Sequence, residues 1–321
     1  MDIEYNSRFL YRYAGVITRF MNRRNIPHFE RPEFLEVLKF QHQLIKIIEK
    51  DVNLRDEEKI RIIVDSIRYD KPPCVATLGN QRSGKDVTTC FLIDKLIRTP
   101  EIEFYLRKGY SIEQIRKAKL LPYRICTYLS FADYPWLEPK DKYFSLEKVP
   151  KGTPQKPVIL YVPELDMSFS ARSSIKGDEN DILNTQLNTL AQNNIMILGT
   201  AKVAANVDIA FWRHCSIQLF KFIDKQKLIY GERKGFLSEE TMFMLPRNRY
   251  DKTETLFVYG DQILSFHNTK PEWFSEEQSN QYGNITEEQK NDYRQMLIDK
   301  GLKPEKVEIE MRRLFSLTDS E

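Results

Sequence analysis

Apolar and polar positions along this chain switch between two rhythms. Over residues 1–70 the rhythm is helical: Phe34, Leu35, Val37, Leu38, Phe40, Leu44, Ile45, Ile47 and Ile48 recur at helix spacing. A second helix is predicted from Asp56 to Tyr69, with acidic residues in the first turn, where the helix dipole favours them. Pro72-Pro73 ends that pattern, and short apolar runs take over, alternating with helical stretches. Cys74–Leu78 reads as a buried strand, and the helix that follows ends near Thr99-Pro100. Residues 101–120 read as a short helical insertion capped by Ser111, and Tyr123–Ser130 as a second strand. Residues 131–156, rich in Pro, Lys and aromatics, read as a long surface connection. Strands are then expected at Val158–Val162, Ile195–Gly199 and Ser216–Phe222, with a helix over Asp178–Asn193.

Beyond this core, residues 226–285 read as β-rich. Thr255–Tyr259 and Gln262–His267 flank Gly260-Asp261, a hairpin signal. A helical tail follows, opened by Thr286, interrupted at Gly301 and resumed from Pro304 through Phe315. The expected organisation is a helical region 1–70, an α/β core 71–225, a β-rich extension 226–285 and a helical tail 286–321.

The core's first strand runs into Gly79-Asn80-Gln81-Arg82-Ser83-Gly84-Lys85-Asp86-Val87. Two glycines four residues apart, then lysine, between a strand and a helix, make a phosphate-binding loop. Backbone N–H groups of the loop and of the first helical turn cradle phosphate oxygens, and the helix dipole favours the anion. Gly79 and Gly84 permit a closeness of approach that a side chain would block, and Lys85 supplies a point charge between the outer phosphates. After the lysine such loops carry Ser or Thr, whose hydroxyl binds Mg²⁺; here Asp86 stands instead. Arg82, inside the loop, is a candidate for contact with the γ-phosphate and reads equally as a solvent-facing loop residue.

A second signal lies at 156–166. The strand Val158–Val162 ends in Pro163-Glu164, with Asp166 two residues on. In ATP-splitting proteins with such loops this strand ends in two acids. One steadies the metal shell and the other aligns the attacking water. Pro163 replaces the first; Glu164 keeps the second. One reading is that Asp86 took over Mg²⁺ support, since a carboxylate so near phosphates needs a cation between. The other is that Asp86 caps or pairs locally. Thr200 and Lys202, ending the next strand, are candidates to sense the outer phosphate. Arg213, before the last core strand, is a candidate to reach a neighbouring subunit's phosphate. Arg172 and Lys176 lie in a Ser-rich loop after Glu164 that reads equally as a solvated connection and as a loop facing a substrate strand.

Composition narrows the class without naming it. Of 321 residues, 41% are hydrophobic and 12% aromatic, enough for a packed core. A net charge of +3 is too weak to argue nucleic-acid binding alone, and leaves room for a local basic channel. Arg19, Arg23 and Arg24 read as a solvated face. The four cysteines and four histidines have no metal-ligand spacing, and reduced, buried thiols are expected. No signal peptide and no bilayer-length apolar run stand out, so a soluble cytoplasmic protein is expected.

Together these pieces resemble the FtsK–HerA superfamily of P-loop translocases. The phosphate loop names only the broad class. The stretch LAQNNIMILGTAK followed by DIAFWRHCSIQLFKF is similar to that group's helix, sensor strand, Asp-Ile…Arg element and returning strand. Thr200 matches the sensor threonine, whereas the glutamine that follows it in the family has no counterpart here, and Pro163 and Asp86 also depart from the pattern. Residues 269–279 resemble the exit segment of packaging members. The resemblance implies a RecA-like (ASCE) P-loop sheet flanked by helices, ATP and Mg²⁺ as cofactors, and a hexameric or pentameric homo-oligomer around double-stranded DNA. Its backbone contacts would be sequence-independent and salt-sensitive. A portal or capsid-vertex protein is an expected docking partner. In this reading Glu164, Lys85, Arg213, Thr200 and Lys202 are catalytic, Asp86 and Glu164 hold the metal, and Arg82 or Arg213 is the arginine finger. Two other functions fit the same residues. One is a terminase-type motor, against which stands the lack of an acidic cluster suited to a two-metal nuclease. The other is a nucleotide-binding assembly protein that hydrolyses weakly, for which Pro163 is the best support.

Overall fold

The computed structural model describes residues 32–130, 132–143, 146–169, 178–224, 236–275, 278, 287–299 and 303–315. Helix α1 (Pro32–Asn53) belongs to one compact unit; everything from Leu54 onward forms the other. In the second unit, α2 (Asp56–Asp70) carries Asp56, Glu57 and Glu58 in its first turn. The Glu58 carboxylate accepts the Arg55 backbone N–H at 2.9 Å, satisfying a group the helix itself leaves open. The helix buries Ile63, Val64 and Ile67 in the main core, so it is part of the sheet unit.

The elements then alternate: β1 (Cys74–Leu78), α3 (Lys85–Ile97), α4 (Pro100–Arg107), α5 (Ile112–Lys117), β2 (Arg124–Tyr128), β3 (Lys142–Tyr143), β4 (Val158–Val162), α6 (Leu165–Ser168), α7 (Asp178–Gln192), β5 (Ile195–Ala201), α8 (Ile209–His214), β6 (Cys215–Phe220), α9 (Glu239–Met244), β7 (Glu254–Tyr259), β8 (Gln262–His267), α10 (Glu287–Asp299) and α11 (Pro304–Phe315). Thr99 caps α4, with proline in its first turn, and Ser111 caps α5 in a reciprocal box with Gln114. Thr286 and Gly301, expected to bound the tail helices, lie outside the described residues.

One eight-stranded sheet takes the order β3-β2-β4-β5-β1-β6-β7-β8. The strands from β3 to β6 are parallel; β7 and β8 run antiparallel at one edge. Every residue of β1, β4 and β5 is buried, which is why these strands read as unbroken apolar runs. The strand carrying the lysine loop and the strand ending at Glu164 are not neighbours. β5 lies between them, so three strand ends meet at one edge. The hairpin expected at Gly260-Asp261 is present, and it extends the core sheet through β6.

The surface connection expected over 131–156 is not what forms. Tyr134, Trp136, Leu137 and Val149 are buried, and β3 adds a strand. Tyr134 stacks on Trp136 with centroids 4.5 Å apart, and Tyr161 and Trp273 meet this pair edge-on. Aromatic burial outweighs the Pro and Lys content that suggested an exposed path. Asp141 anchors the return, accepting from Arg124 Nη2 at 2.6 Å and Nε at 3.2 Å. All four cysteines are buried and free, and no described helix is long and apolar enough to cross a membrane.

Candidate nucleotide site

The loop 79–84 leaves the end of β1 and returns into α3 under tight constraints. The Gly79 N–H donates to the Ala201 carbonyl at 3.2 Å, and the Asn80 N–H to that of Phe222 at 3.0 Å, so the loop hangs from the end of β5 and from the segment just past β6. A Cβ on Gly79 would lie 2.7 Å from both Lys221 Cβ and Ser83 Oγ. Gly84 enters the helix at φ +89°, where a Cβ would meet the Lys252 carbonyl at 2.9 Å. Both glycines are therefore required by space, as the spacing predicts. The Ser83 hydroxyl is buried in the loop and has no hydrogen-bond partner among the described residues, which fits a site built for an oxygen-rich ligand.

Lys85 is buried, and its Nζ donates to the Asn80 carbonyl at 2.9 Å, folding back across its own loop. Burial holds its pKa below the ordinary lysine value, against the pull of Asp86 and Glu164. Asp86 takes two hydroxyl donors on one oxygen: Tyr161 Oη at 3.2 Å and Thr200 Oγ1 at 3.2 Å, both to Oδ1. Burial raises the Asp86 pKa, and Lys85 opposes the rise. Glu164 sits at the end of β4 with φ 56°, in the left-handed region. Such a conformation in a non-glycine residue marks a position the surroundings enforce. Its N–H donates to Thr200 Oγ1 at 3.3 Å, and its carboxylate pairs with Lys202 Nζ at 2.9 Å. Burial alone would lower the Lys202 pKa; the pairing with Glu164 outweighs it and leaves the net shift upward. Burial and then Glu164 raise Asp166, whose Oδ1 is one of the buried oxygens without a partner among the described residues.

Lys85, Asp86, Glu164, Thr200 and Lys202 thus converge at the carboxyl edge of β1, β4 and β5. Thr200 joins the two acids, donating to Asp86 and accepting from the Glu164 backbone. Gln81 and Arg82 are exposed on the loop, Arg82 at φ 61°, while Val87 packs its side chain toward the core. Arg213 is not in this cluster. It is exposed and precedes Cys215, which pairs with Cys74 at the opposite end of β1. With about 3.3 Å per strand residue, the sheet's whole height separates Arg213 from its own chain's loop. Arg172 and Lys176 lie outside the described residues.

This is a P-loop NTPase fold. Its signature is the glycine-bounded loop between the central parallel strand and a buried helix, with one strand inserted before the acid-bearing strand. No family model matches the sequence, and no match to it was found among curated proteins. Solved structures give partial overlaps. The genome packaging NTPase B204 of Sulfolobus turreted icosahedral virus 2, in complex with ATP-gammaS, overlaps at TM-score 0.36 and 12% identity, over 61% of this chain and 97% of that one. EssC (ATPases 2 and 3) of Geobacillus thermodenitrificans gives 0.32 and 12%, over 76% of this chain and 44% of that one. The cytoplasmic domain of the Thermomonospora curvata type VII secretion ATPase EccC gives 0.37 and 12%, over 64% and 24%. Likeness this remote leaves the chemistry to this chain's own geometry.

Two residues of the site escape a reading of the sequence. Tyr161 lies inside an apolar strand, yet its hydroxyl binds Asp86. Lys221 lies between two phenylalanines and is fully buried beneath the loop. Its ammonium donates to the Lys252 carbonyl at 2.7 Å, Thr255 Oγ1 at 2.8 Å and Asn268 Oδ1 at 3.3 Å. Asn268 also accepts from Thr88 in the first turn of α3 at 2.9 Å. A charged residue where strand alternation expects an apolar one is the signal that was there to find.

Proposed function

We propose that this chain hydrolyses ATP and uses the turnover to move double-stranded DNA, as a homo-oligomeric ring in a genome-packaging setting. The observation that carries the ATPase reading is the convergence of Lys85, Asp86 and Glu164 on one sheet edge, with Thr200 bonded to both acids. In this reading Lys85 releases the Asn80 carbonyl and moves onto the outer phosphates. Glu164 orients a water in line with the terminal phosphorus.

The residues present fit Mg²⁺. This ion uses one or two carboxylates and completes its shell with water and phosphate oxygens. That agrees with a carboxylate at Asp86 fixed by two hydroxyl donors on one oxygen, which leaves the other oxygen for the ion. When bound, Mg²⁺ would neutralise charge on the transferring phosphate. Lys202 now holds Glu164; a terminal phosphate competes for the same ammonium, and its arrival frees the carboxylate to meet water.

DNA movement rests on the resemblance of the sensor stretch to the FtsK–HerA group. Arg172 and Lys176 are the proposed channel contacts. Arg213, far from its own chain's loop, is proposed to act on a neighbour's nucleotide, with Arg82 as the alternative in cis. A cytoplasmic location and a portal or vertex partner belong to the same proposal. A second reading, weak hydrolysis in a nucleotide-binding assembly protein, is favoured by the Lys202–Glu164 pair and by Pro163 in place of an acid. The deciding experiment is ATP turnover with and without duplex DNA, for the native protein and Glu164→Gln. The motor reading expects stimulation by DNA and a loss of about 10² to 10⁴ in the variant, with ATP binding kept. Turnover that ignores both DNA and Glu164→Gln would reject it.

A further inference from the structure

The loop between α9 and β7 abuts the phosphate loop, and the chemistry above uses none of it. A Cβ on Gly84 would meet the Lys252 carbonyl at 2.9 Å and Lys252 Cβ at 3.4 Å, so the two loops touch. Lys221 fixes that same carbonyl from below at 2.7 Å. Asp251 stiffens the chain, accepting from the Thr253 N–H at 2.9 Å, the Thr253 hydroxyl at 2.6 Å and the Glu254 N–H at 3.2 Å. On this rigid mount stands Tyr250, 76% exposed. The Arg249 guanidinium lies 4.7 Å from the centre of its ring and donates to its hydroxyl at 2.7 Å. The Tyr250 N–H is held by Asn248 Oδ1 at 3.0 Å. Tyr250 and Lys252 are two residues apart, a span of at most about 7 Å.

An exposed aromatic face braced by a planar cation, fixed beside a phosphate site, has the chemistry that receives a flat heteroaromatic ring. We propose that Arg249 and Tyr250 form the platform on which the purine base of the nucleotide stacks while its phosphates occupy the 79–86 loop. Lys252 and Lys221 set the height of that platform relative to Gly84. The same contact explains why Gly84 has no room for a side chain: the base-side loop and the phosphate loop are built against each other. This inference rests on the nucleotide reading of the loop.

The test separates base from phosphate. Calorimetric titration of the full chain with ATPγS and with inorganic tripolyphosphate, both with Mg²⁺, compares the native protein, Tyr250→Ala, Tyr250→Trp and Lys85→Ala. The expected result is tighter binding of ATPγS than of tripolyphosphate by the native protein. Tyr250→Ala then loses about five-fold or more for ATPγS, as base stacking on an aromatic side chain predicts, with tripolyphosphate unchanged. Tyr250→Trp keeps the ATPγS affinity. An undisturbed ATPγS affinity in Tyr250→Ala, or an equal loss for both ligands, overturns the platform and leaves the phosphate loop intact. Binding that Lys85→Ala does not weaken for either ligand overturns the phosphate-loop reading and the platform with it.

Discussion

Lys221 gives the sharpest thermodynamic test of how the phosphate loop is supported. Its side chain is fully buried, its three partners are neutral oxygens, and its pKa is lowered from 10.5 to about 7. Burial is the main cause; the fields of Asp251 and Glu254 act in the opposite sense. The difference, 10.5 − 7, corresponds to about 5 kcal/mol of opposition to carrying the charge in the fold, at 1.36 kcal/mol per pKa unit. The sign follows from proton counts. Between pH 7 and 10.5 the unfolded chain holds a proton on this lysine that the folded chain releases, so stability rises with pH across that window. Below pH 7 both states are protonated and the penalty is present in full. From pH 7 to 9 the native protein should gain about 2 kcal/mol relative to Lys221→Met, whose neutral side chain has nothing to titrate. Urea unfolding followed by tryptophan fluorescence at pH 7, 8 and 9 measures the gap between the two proteins, and groups common to both cancel. Parallel profiles would refute the reasoning. They would mean that the three oxygens stabilise the ammonium enough to keep its pKa near that of a free lysine.

Two further outcomes are expected. Gly199→Ala places a methyl 2.5 Å from Leu165 Cδ2, next to Glu164; it should cost about 1–3 kcal/mol in stability and lower kcat more than it changes KM. The double variant with Leu165→Ala should lose less than the sum of the single changes in urea unfolding, and strict additivity would show that Leu165 is not what the methyl meets. Asp86→Ala should raise the Mg²⁺ concentration needed for half-maximal ATP turnover; an unchanged metal dependence would reduce Asp86 to a local hydrogen-bond acceptor.

Much of this architecture is legible because parallel, doubly covered strands leave an unambiguous trace. Val158–Val162 and Ile195–Ala201 are apolar at nearly every position because both faces are packed. The loop glycines are legible for a related reason, since only a missing side chain satisfies the distances to Lys221 and Lys252. The stretch 131–156 is misread because its prolines and lysines advertise solvent while Trp136 and Tyr134 supply the burial. Lys221 and Tyr161 are passed over because residue type in a strand speaks for the face it lies on, whereas their partners come from Asn268 and Asp86, 47 and 75 residues away in sequence. Arg213, read from its spacing as reaching a neighbouring subunit's phosphate, lies at the opposite end of the sheet from its own chain's loop, and the spacing alone does not say which end of the sheet is meant.

The two departures from the usual P-loop pattern are tied together by one hydroxyl. Proline at 163 can neither donate a backbone hydrogen bond nor supply a carboxylate, so the acid-bearing strand arrives at Glu164 without the neighbour that usually steadies the metal. Asp86, in the first turn of α3, places a carboxylate on the same site, where burial raises its pKa and hydroxyl donors oppose the rise. Tyr161 and Thr200 provide them, both on Oδ1. Thr200 also accepts the Glu164 N–H, so one hydroxyl touches both Asp86 and the backbone that carries Glu164. The aspartate is thereby built into the same hydrogen-bonded unit as the glutamate, with Thr200 as the shared partner.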